Sequence, residues 1–461
     1  MTKDFKHIHF LGICGTAMGS VAAALQDRGF IVTGSDESVY PPMSTFLEEK
    51  GIRLSEGYRP ENIPENADAI VIGNAIKRGN PEVEAVLNRK LYYLSLPETL
   101  KEFFLRGRHN IVVTGTHGKT TTTSLVAWIL QCGGLDPSYM IGGIPVNLGQ
   151  GCVIHDSKHF VVEGDEYDTA FFDKRSKFVH YMPELVIVNN IEFDHADIFK
   201  DLDAIKTSFT HLLRIVPGNG MVLLNADDQN CIDVGKSSTA PIVEVGFSPN
   251  AANQIRDVRY DSHGSTFKLF DTEFTMQMVG EYNVRNAAMA ISAAHFYGVP
   301  LAVIQKAVAS FQGVKRRQEV RGEVRGIKII DDFGHHPTAI RQTLAGLRHQ
   351  YKGSRLWAIF EPRSNTTRRA VFQQQLPEAF KDADGVILAK VAKLEQLPEE
   401  DRLNPEKVVE AISASGRPAY YEPTVDDIIH RLKPLVREHD VVVIFSNGGF
   451  DSIHAKLLAQ L

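Results

Sequence analysis

The stretch Val112-Val113-Thr114-Gly115-Thr116-His117-Gly118-Lys119-Thr120-Thr121 constrains this chain more than any other. An apolar run delivers the backbone to a glycine turn, and residues 120–131 then read as a helix. Glycines let backbone N–H groups close around phosphate oxygens, and the helix adds the positive end of its dipole. Lys119 can reach terminal phosphates, and the Thr120 hydroxyl can ligate Mg²⁺. The usual spacing G-x-x-x-x-G-K-[ST] would need glycine at position 113, where valine stands. Strand, turn and helix in this order place the loop at the C-terminal edge of a parallel sheet.

The surrounding pattern agrees with such a sheet. Strand-like residues 7–11, 30–34 and 69–73 alternate with helical residues 19–28, 43–50 and 81–89. The alternation restarts at 110–114, and again after Arg316-Arg317. In this last part 324–330, 356–360, 385–388 and 441–445 read as strands, and 337–347, 406–413 and 425–436 as helices. Strands separated by helical crossovers predict parallel pairing. A length of 461 residues also suggests three domains, at about 150 residues each. The expected architecture is α/β. It comprises a Rossmann-like domain at 1–107, a central phosphate-loop domain with a parallel sheet at 108–313, and a second Rossmann-like domain at 314–461.

With 50 Lys and Arg against 56 Asp and Glu, the net charge is −6, which argues against a chain that coats nucleic acid. Apolar residues make up 43% and charged residues 23%, as in ordinary globular proteins. The apolar run at 441–445 is far shorter than the roughly 18–20 residues of a membrane span. The polar start at 1–6 runs straight into a strand, so no signal peptide is expected. Cys14, Cys132, Cys152 and Cys231 form no C-x-x-C pair, which fits a reducing cytoplasm.

Two further strand ends carry chemistry. Glu163-Gly164-Asp165-Glu166-Tyr167-Asp168 packs four carboxylates into six residues. Asn189-Asn190-Ile191-Glu192-Phe193-Asp194-His195 follows a second buried strand. In a parallel sheet both would lie beside the phosphate loop, where hard oxygens and an imidazole suit Mg²⁺ or Mn²⁺. Two solvated acidic loops are the plainer reading. Asn283 and Asn286 share a helix face, where they can pair with an adenine edge or simply cap the helix. Lys315-Arg316-Arg317 is a hinge or a solvated surface run, and Asp331-Asp332-Phe333-Gly334-His335-His336-Pro337 leads from strand into helix. Near the start, Gly12-Ile13-Cys14-Gly15-Thr16-Ala17-Met18, with Ser35-Asp36 one strand later, looks like a dinucleotide fingerprint. Cys14 stands where its second glycine belongs, and an NAD dehydrogenase stays open from this part alone.

Taken together, G-T-H-G-K-T-T at 115–121, E-G-D-E-Y-D at 163–168, N-x-x-x-D-H at 190–195, G-E-Y-N-V-R-N at 280–286 and D-D-F-G-H-H-P at 331–337 resemble the Mur ligases. These are ATP-dependent amide-forming enzymes of bacterial cell-wall precursor synthesis, and the resemblance covers nearly the whole chain. It implies ATP at Gly115, Thr116, His117, Gly118, Lys119, Thr120, Thr121, Asn283, Asn286 and Asp332. It also implies Mg²⁺ on Glu163 and His195, with Thr120 on another ion. Arg317 would face the γ-phosphate, and His335 and His336 would face ATP and the incoming amine as candidate bases. A UDP-sugar would bind at Gly12, Cys14, Gly15, Thr16, Ala17, Met18, Ser35, Asp36, Asn74 and Ala75. Tyr282 stands where the family has histidine. Several members carry a carbamylated lysine, and residues 207–211 hold no lysine, which resembles the muramate-accepting branch.

Within that branch, the strings at 39–45, 170–181, 360–366 and 446–450 resemble the ligase that adds L-Ala-γ-D-Glu-meso-diaminopimelate to UDP-N-acetylmuramate in peptidoglycan recycling. The alanine-adding enzymes have P-H-R-Y-T-R where this chain has Pro362-Arg363-Ser364-Asn365-Thr366-Thr367. The resemblance implies peptide contacts from Arg363, Ser364, Asn365 and Asn447, and a monomer or weak homo-oligomer. Arg363 and Arg368 offer guanidinium forks for the peptide's carboxylates, with surface ion pairs as the alternative. An L-alanine ligase and a non-catalytic sugar-nucleotide sensor remain rival readings. The intact Lys119, Thr120, Glu163 and His195 argue against the sensor.

Overall fold

The computed structural model describes residues 5–461, and these build three large sheets in succession. The first has the order Arg53–Glu56, Ile31–Asp36, His7–Leu11, Ala69–Ile72, Tyr93–Ser95, parallel throughout. The order reverses beside its central strand, which leaves a crevice at the strand ends there. Gly12, at φ +80°, bends the chain out of that strand, and the next helix begins at Thr16 rather than at the expected 19. Gly34 must lack a side chain, because a Cβ would stand 2.6 Å from Ile13 and 2.8 Å from the Phe10 carbonyl.

The central sheet has the order Asn253–Gln254, Ile242–Gly246, Met221–Asn225, Leu185–Val188, His109–Thr114, His159–Glu163, Ser138–Met140, Cys152–Val153. Every pair is parallel except the last. Ile111, Val112, Val113, Val161, Val162 and Leu185–Val188 are fully buried, as expected of strands covered on both faces. The strand that leads into the phosphate loop lies between the two strands that end in acidic residues. Both acidic segments therefore flank the loop. A separate antiparallel sheet, Arg256–Asp261, Gly264–Leu269 and Thr272–Met276, was not expected from the sequence. Phe270 and Asp271, both at positive φ, make its second two-residue turn.

The last sheet runs Glu319–Val324, Ile327–Asp332, Val441–Phe445, Leu356–Phe360, Gly385–Leu388, Ala419–Tyr421. It corrects the expectation of one strand over 324–330. The chain makes a hairpin at Arg325 and Gly326, with φ of +51° and +73°, so its first strand is antiparallel and only the rest are parallel. Two adjacent positive-φ residues close such a turn, and Gly326 supplies the second of them.

The central and last domains touch closely. Thr338 Oγ1 donates to Glu192 at 2.7 Å, Asn365 Nδ2 to Asp197 at 2.7 Å, and Gln318 Nε2 to the Tyr282 hydroxyl at 2.7 Å. Tyr282, in the family's histidine position, thus ties the helix Glu281–Phe296 to the hinge.

Candidate active site

The phosphate loop is shaped by its own glycines and by the neighbouring strand end. Gly115 has φ +130° and Gly118 has φ +80°. A Cβ on Gly118 would stand 2.5 Å from Asn286 Oδ1. Asn190 braces the loop: its Oδ1 accepts from the His117 N–H at 2.7 Å, and its carbonyl accepts from Thr116 N at 3.0 Å. Thr116 and Glu192 exchange bonds, with Glu192 N donating to the Thr116 hydroxyl at 2.8 Å. Asn190 opens the N-x-x-x-D-H motif, but its bracing of the loop across two strands was not readable from the sequence.

Lys119 begins the helix Lys119–Cys132 and folds back over the loop. Its ammonium donates to the Gly115 carbonyl at 2.7 Å and to both oxygens of Glu166, at 3.0 and 3.1 Å. Burial alone would lower its pKa, but Glu166, Asp165 and Glu163 outweigh this and hold it above its ordinary value. Thr120 Oγ1 donates to Glu163 Oε1 at 3.0 Å, and Gly142 N donates to Glu163 Oε2 at 2.7 Å. These hard oxygens at the cavity wall suit Mg²⁺. His195 Nε2 lies 3.0 Å from Glu166 Oε1. Glu166 is almost fully buried and joins Lys119 to His195.

A cavity of about 210 Å³ lies over this loop, lined by Lys119, Glu163, Arg317, Asp332 and His335 among others. Arg317 reaches across the hinge to 3.4 Å from Thr120 Oγ1. Asp332 accepts from Gln318 N at 2.9 Å and Gly334 N at 2.7 Å, which holds the hinge against the next strand. Thr121 lines the same space. Asn286 borders an adjoining cavity with Asn189 and Glu192. Asn286 Nδ2 and Asn189 Oδ1 are buried there without hydrogen-bond partners, as is Asn283 Oδ1 beside the first cavity, the kind of group a bound ligand satisfies.

The two histidines differ. His335 Nδ1 is 3.2 Å from the Phe333 carbonyl, so it carries the proton and leaves Nε2 as an acceptor 3.8 Å from Asp194. Burial pulls its pKa down and favours the neutral ring. His336 accepts from Thr338 N at Nδ1 and donates from Nε2 to the Phe193 carbonyl, both at 3.2 Å. Burial first, and then His117, push its pKa to about 3. With both nitrogens engaged, His336 caps a helix and latches two domains, which corrects its expected place as a base. It also approaches His117 and Glu192, with ligand atoms within 4.8 Å of one another.

The first domain brings Gly12, Cys14, Gly15, Thr16, Asp36 and Ala75 around a cavity of about 790 Å³. Tyr40, Tyr58, Lys77 and Arg78 also line it and were not foreseen. Asp36 accepts from Cys14 N at 2.8 Å. Ser35 departs from expectation: its side chain is fully buried and donates to Glu82, so it supports the loop from beneath. Ala17, Met18 and Asn74 line a second cleft of about 470 Å³ that runs on to Lys119, Glu163 and His195.

Beyond the C-terminal ends of the two central strands of the last sheet, Arg363 lies over Gly448, where any Cβ would collide with its guanidinium. Asn447 Oδ1 is buried without a partner. Ser364 Oγ and Thr367 Oγ1 share a bond of 2.8 Å. Arg368 corrects its expected peptide role: it is 8% exposed and spends its fork on Lys393 O, Gln396 and Asn365, at 2.8–3.2 Å.

Three α/β domains around a phosphate loop, with acidic strand ends on both sides of it, define a nucleotide-dependent P-loop enzyme. Family models match along the chain: "Mur ligase family, catalytic domain" over 7–108, "Mur ligase middle domain" over 113–294 and "Mur ligase, glutamate ligase domain" over 316–448. The chain belongs to the Mur ligase family. It is 43% identical to the UDP-N-acetylmuramate--L-alanyl-gamma-D-glutamyl-meso-2,6-diaminoheptandioate ligase of Haemophilus influenzae, over 99% of both chains. The Escherichia coli protein of the same name is 43% identical over 98% of both. A murein peptide ligase from Psychrobacter arcticus, solved as a crystal structure, is 39% identical with TM-score 0.70, over 99% of this chain and 98% of that one. Among the described residues no helix is long and apolar enough to cross a membrane.

Proposed function

We propose that this enzyme joins L-Ala-γ-D-Glu-meso-diaminopimelate to UDP-N-acetylmuramate at the expense of ATP. One observation carries the reading: the phosphate-loop cavity and the cleft from the first domain share Lys119, Gly142, Glu163 and His195. A donor held by the first domain can thus present its carboxylate to a phosphate on the loop. The full-length identity to two ligases bearing those substrates' names supports the substrate pair. The domains are assigned to 1–107 for the UDP-sugar, 108–313 for ATP and 314–461 for the peptide.

The muramoyl carboxylate attacks the γ-phosphorus, the bond to ADP breaks, and an acyl-phosphate forms. The peptide's amine then attacks the acyl carbon and phosphate leaves. Two anions meet in the first step and repel by several kcal/mol at about 4 Å in a partly buried site. Mg²⁺, when bound, supplies countercharge there. Lys119 and Arg317 aim cations at the same phosphate. Thr120, Glu163 and His195 would hold the metal, which would supply that countercharge beside the phosphate loop. The amine must lose a proton, and His335 Nε2 is the acceptor within this cavity.

Phosphate release should require both UDP-N-acetylmuramate and tripeptide. Release with neither present, or with only one, would overturn the reading. In competition at equal concentration, tripeptide should be favoured over L-alanine by roughly 10- to 10²-fold, since one charge-assisted contact contributes about 1.5–3 kcal/mol. Equal incorporation of alanine would promote the alanine ligase instead. Glu163→Ala and His195→Ala should each lower turnover at least about 10-fold and raise the magnesium needed for half-maximal rate. Wild-type behaviour across a magnesium titration would remove that residue from the ligand set.

A further inference from the structure

The segment Asp173-Lys174-Arg175-Ser176-Lys177 holds three cations, and two of them face solvent. Lys174 pairs with Asp168 at 2.8 Å and Arg175 with Asp173 at 2.7 Å, with side chains 69% and 62% exposed. Lys177 differs: its side chain is 20% exposed and lines the cleft that runs from Thr16 and Asn74 to Lys119 and His195.

Its position is fixed from several sides. Lys177 N donates to the Tyr167 carbonyl at 3.1 Å, and the preceding Ser176 hydroxyl donates to the Glu166 carbonyl at 2.7 Å. The ammonium sits 2.7 Å from Asp165 Oδ2 and 5.7 Å over the Tyr167 ring. That ring packs on His195 with centroids 4.2 Å apart. Asp165 Oδ1 is taken by Tyr167 N at 2.8 Å, so the carboxylate is held from both oxygens. An ammonium has three N–H donors, and Asp165 is its hydrogen-bond acceptor here. Two N–H groups are left for a ligand in the cleft.

Resting on the function proposed above, we infer that Lys177 binds the lactyl carboxylate of the UDP-N-acetylmuramate donor and orients it toward the phosphate loop. One oxygen held by Lys177 leaves the other directed at the γ-phosphorus. The diphosphate and sugar of the donor are recognised elsewhere, by the first domain's loops. Lys177 therefore reads the one anionic group that separates this donor from UDP-N-acetylglucosamine, which lacks the lactyl ether.

Calorimetric titration of the intact protein with these two UDP-sugars tests this. Wild type should bind UDP-N-acetylmuramate more tightly than UDP-N-acetylglucosamine. K177M should weaken the former about 10- to 10²-fold, the range of one charge-assisted hydrogen bond, and leave the latter within twofold. K177R should restore most of the difference, which a purely structural lysine would not show in this ligand-specific way. Equal weakening of both sugars by K177M, or no weakening of either, overturns the assignment. If K177M does not fold, K177Q carries the same comparison. A wild type that binds neither sugar refutes the proposed function itself, whereas a wild type that binds both equally refutes only Lys177's role.

Discussion

Lys119→Met should lower turnover by about 10³-fold or more while leaving UDP-N-acetylmuramate binding nearly intact. The lysine aims a preorganised cation at transferring phosphate, and groups of that kind contribute on this scale. On the proposed function the first domain's loops hold the donor's uridine and diphosphate, and Lys119 lines only the end of the cleft that meets the phosphate loop. The structure adds a stability effect. Glu166 is 3% exposed in its side chain, and Lys119 is its cationic partner at 3.0 Å. Removing one partner of a buried pair costs about 3–5 kcal/mol. The low end applies here, because His195 still bonds Glu166. K119M/E166Q should therefore regain most of the lost thermal stability and none of the activity. Phosphate release and a thermal melt on the same samples check both parts. A K119M enzyme with wild-type turnover would defeat the phosphate-loop assignment, and an unchanged melt would show that the Lys119–Glu166 pair carries no net stability.

Arg363→Met and Arg368→Met should behave in opposite ways, although the residues are close in sequence. Arg368 makes three hydrogen bonds inside the domain, to Lys393 O, Gln396 and Asn365. Each charge-assisted bond is worth about 1.5–3 kcal/mol, and the carbonyls left behind lose a donor. R368M should cost on the order of 2–4 kcal/mol in the C-terminal domain. Arg363 is 44% exposed and faces Glu361 at 3.7 Å. R363M should leave stability nearly unchanged and raise the KM for tripeptide about 10-fold, with the KM for ATP unmoved. Hydrogen exchange of the C-terminal sheet and steady-state kinetics separate the two. If R368M keeps its protection and loses only tripeptide affinity, Arg368 belongs to the peptide site after all.

Much of the architecture was legible in the chain. Alternating apolar strands and helices at 7–11, 110–114 and 356–360 required parallel sheets, because only a crossover helix connects parallel neighbours at such short range. The phosphate loop was legible because its parts are contiguous: a strand, two glycines at positive φ and a helix N-terminus. Placement of both acidic segments beside the loop also followed, since parallel strands put all their C-terminal ends on one edge. The hairpin at Arg325-Gly326 was missed, although a polar residue and a glycine interrupt the apolar run there and mark a turn.

Composition, periodicity and motif thus determined that this is a three-part α/β chain with a phosphate loop and acids around it. Tertiary structure alone decided which partner each charged group takes. It matched His195 and Lys119 to Glu166, turned Arg368 inward and Arg363 outward, made His336 a latch and left His335 an acceptor, and set Lys177 in the cleft between the first domain and the phosphate loop while its neighbours face water. The reason is physical. Backbone periodicity is a local property of neighbouring residues, whereas burial and pairing depend on groups brought together from distant strands. For an ionisable side chain those two quantities govern charge, reach and function.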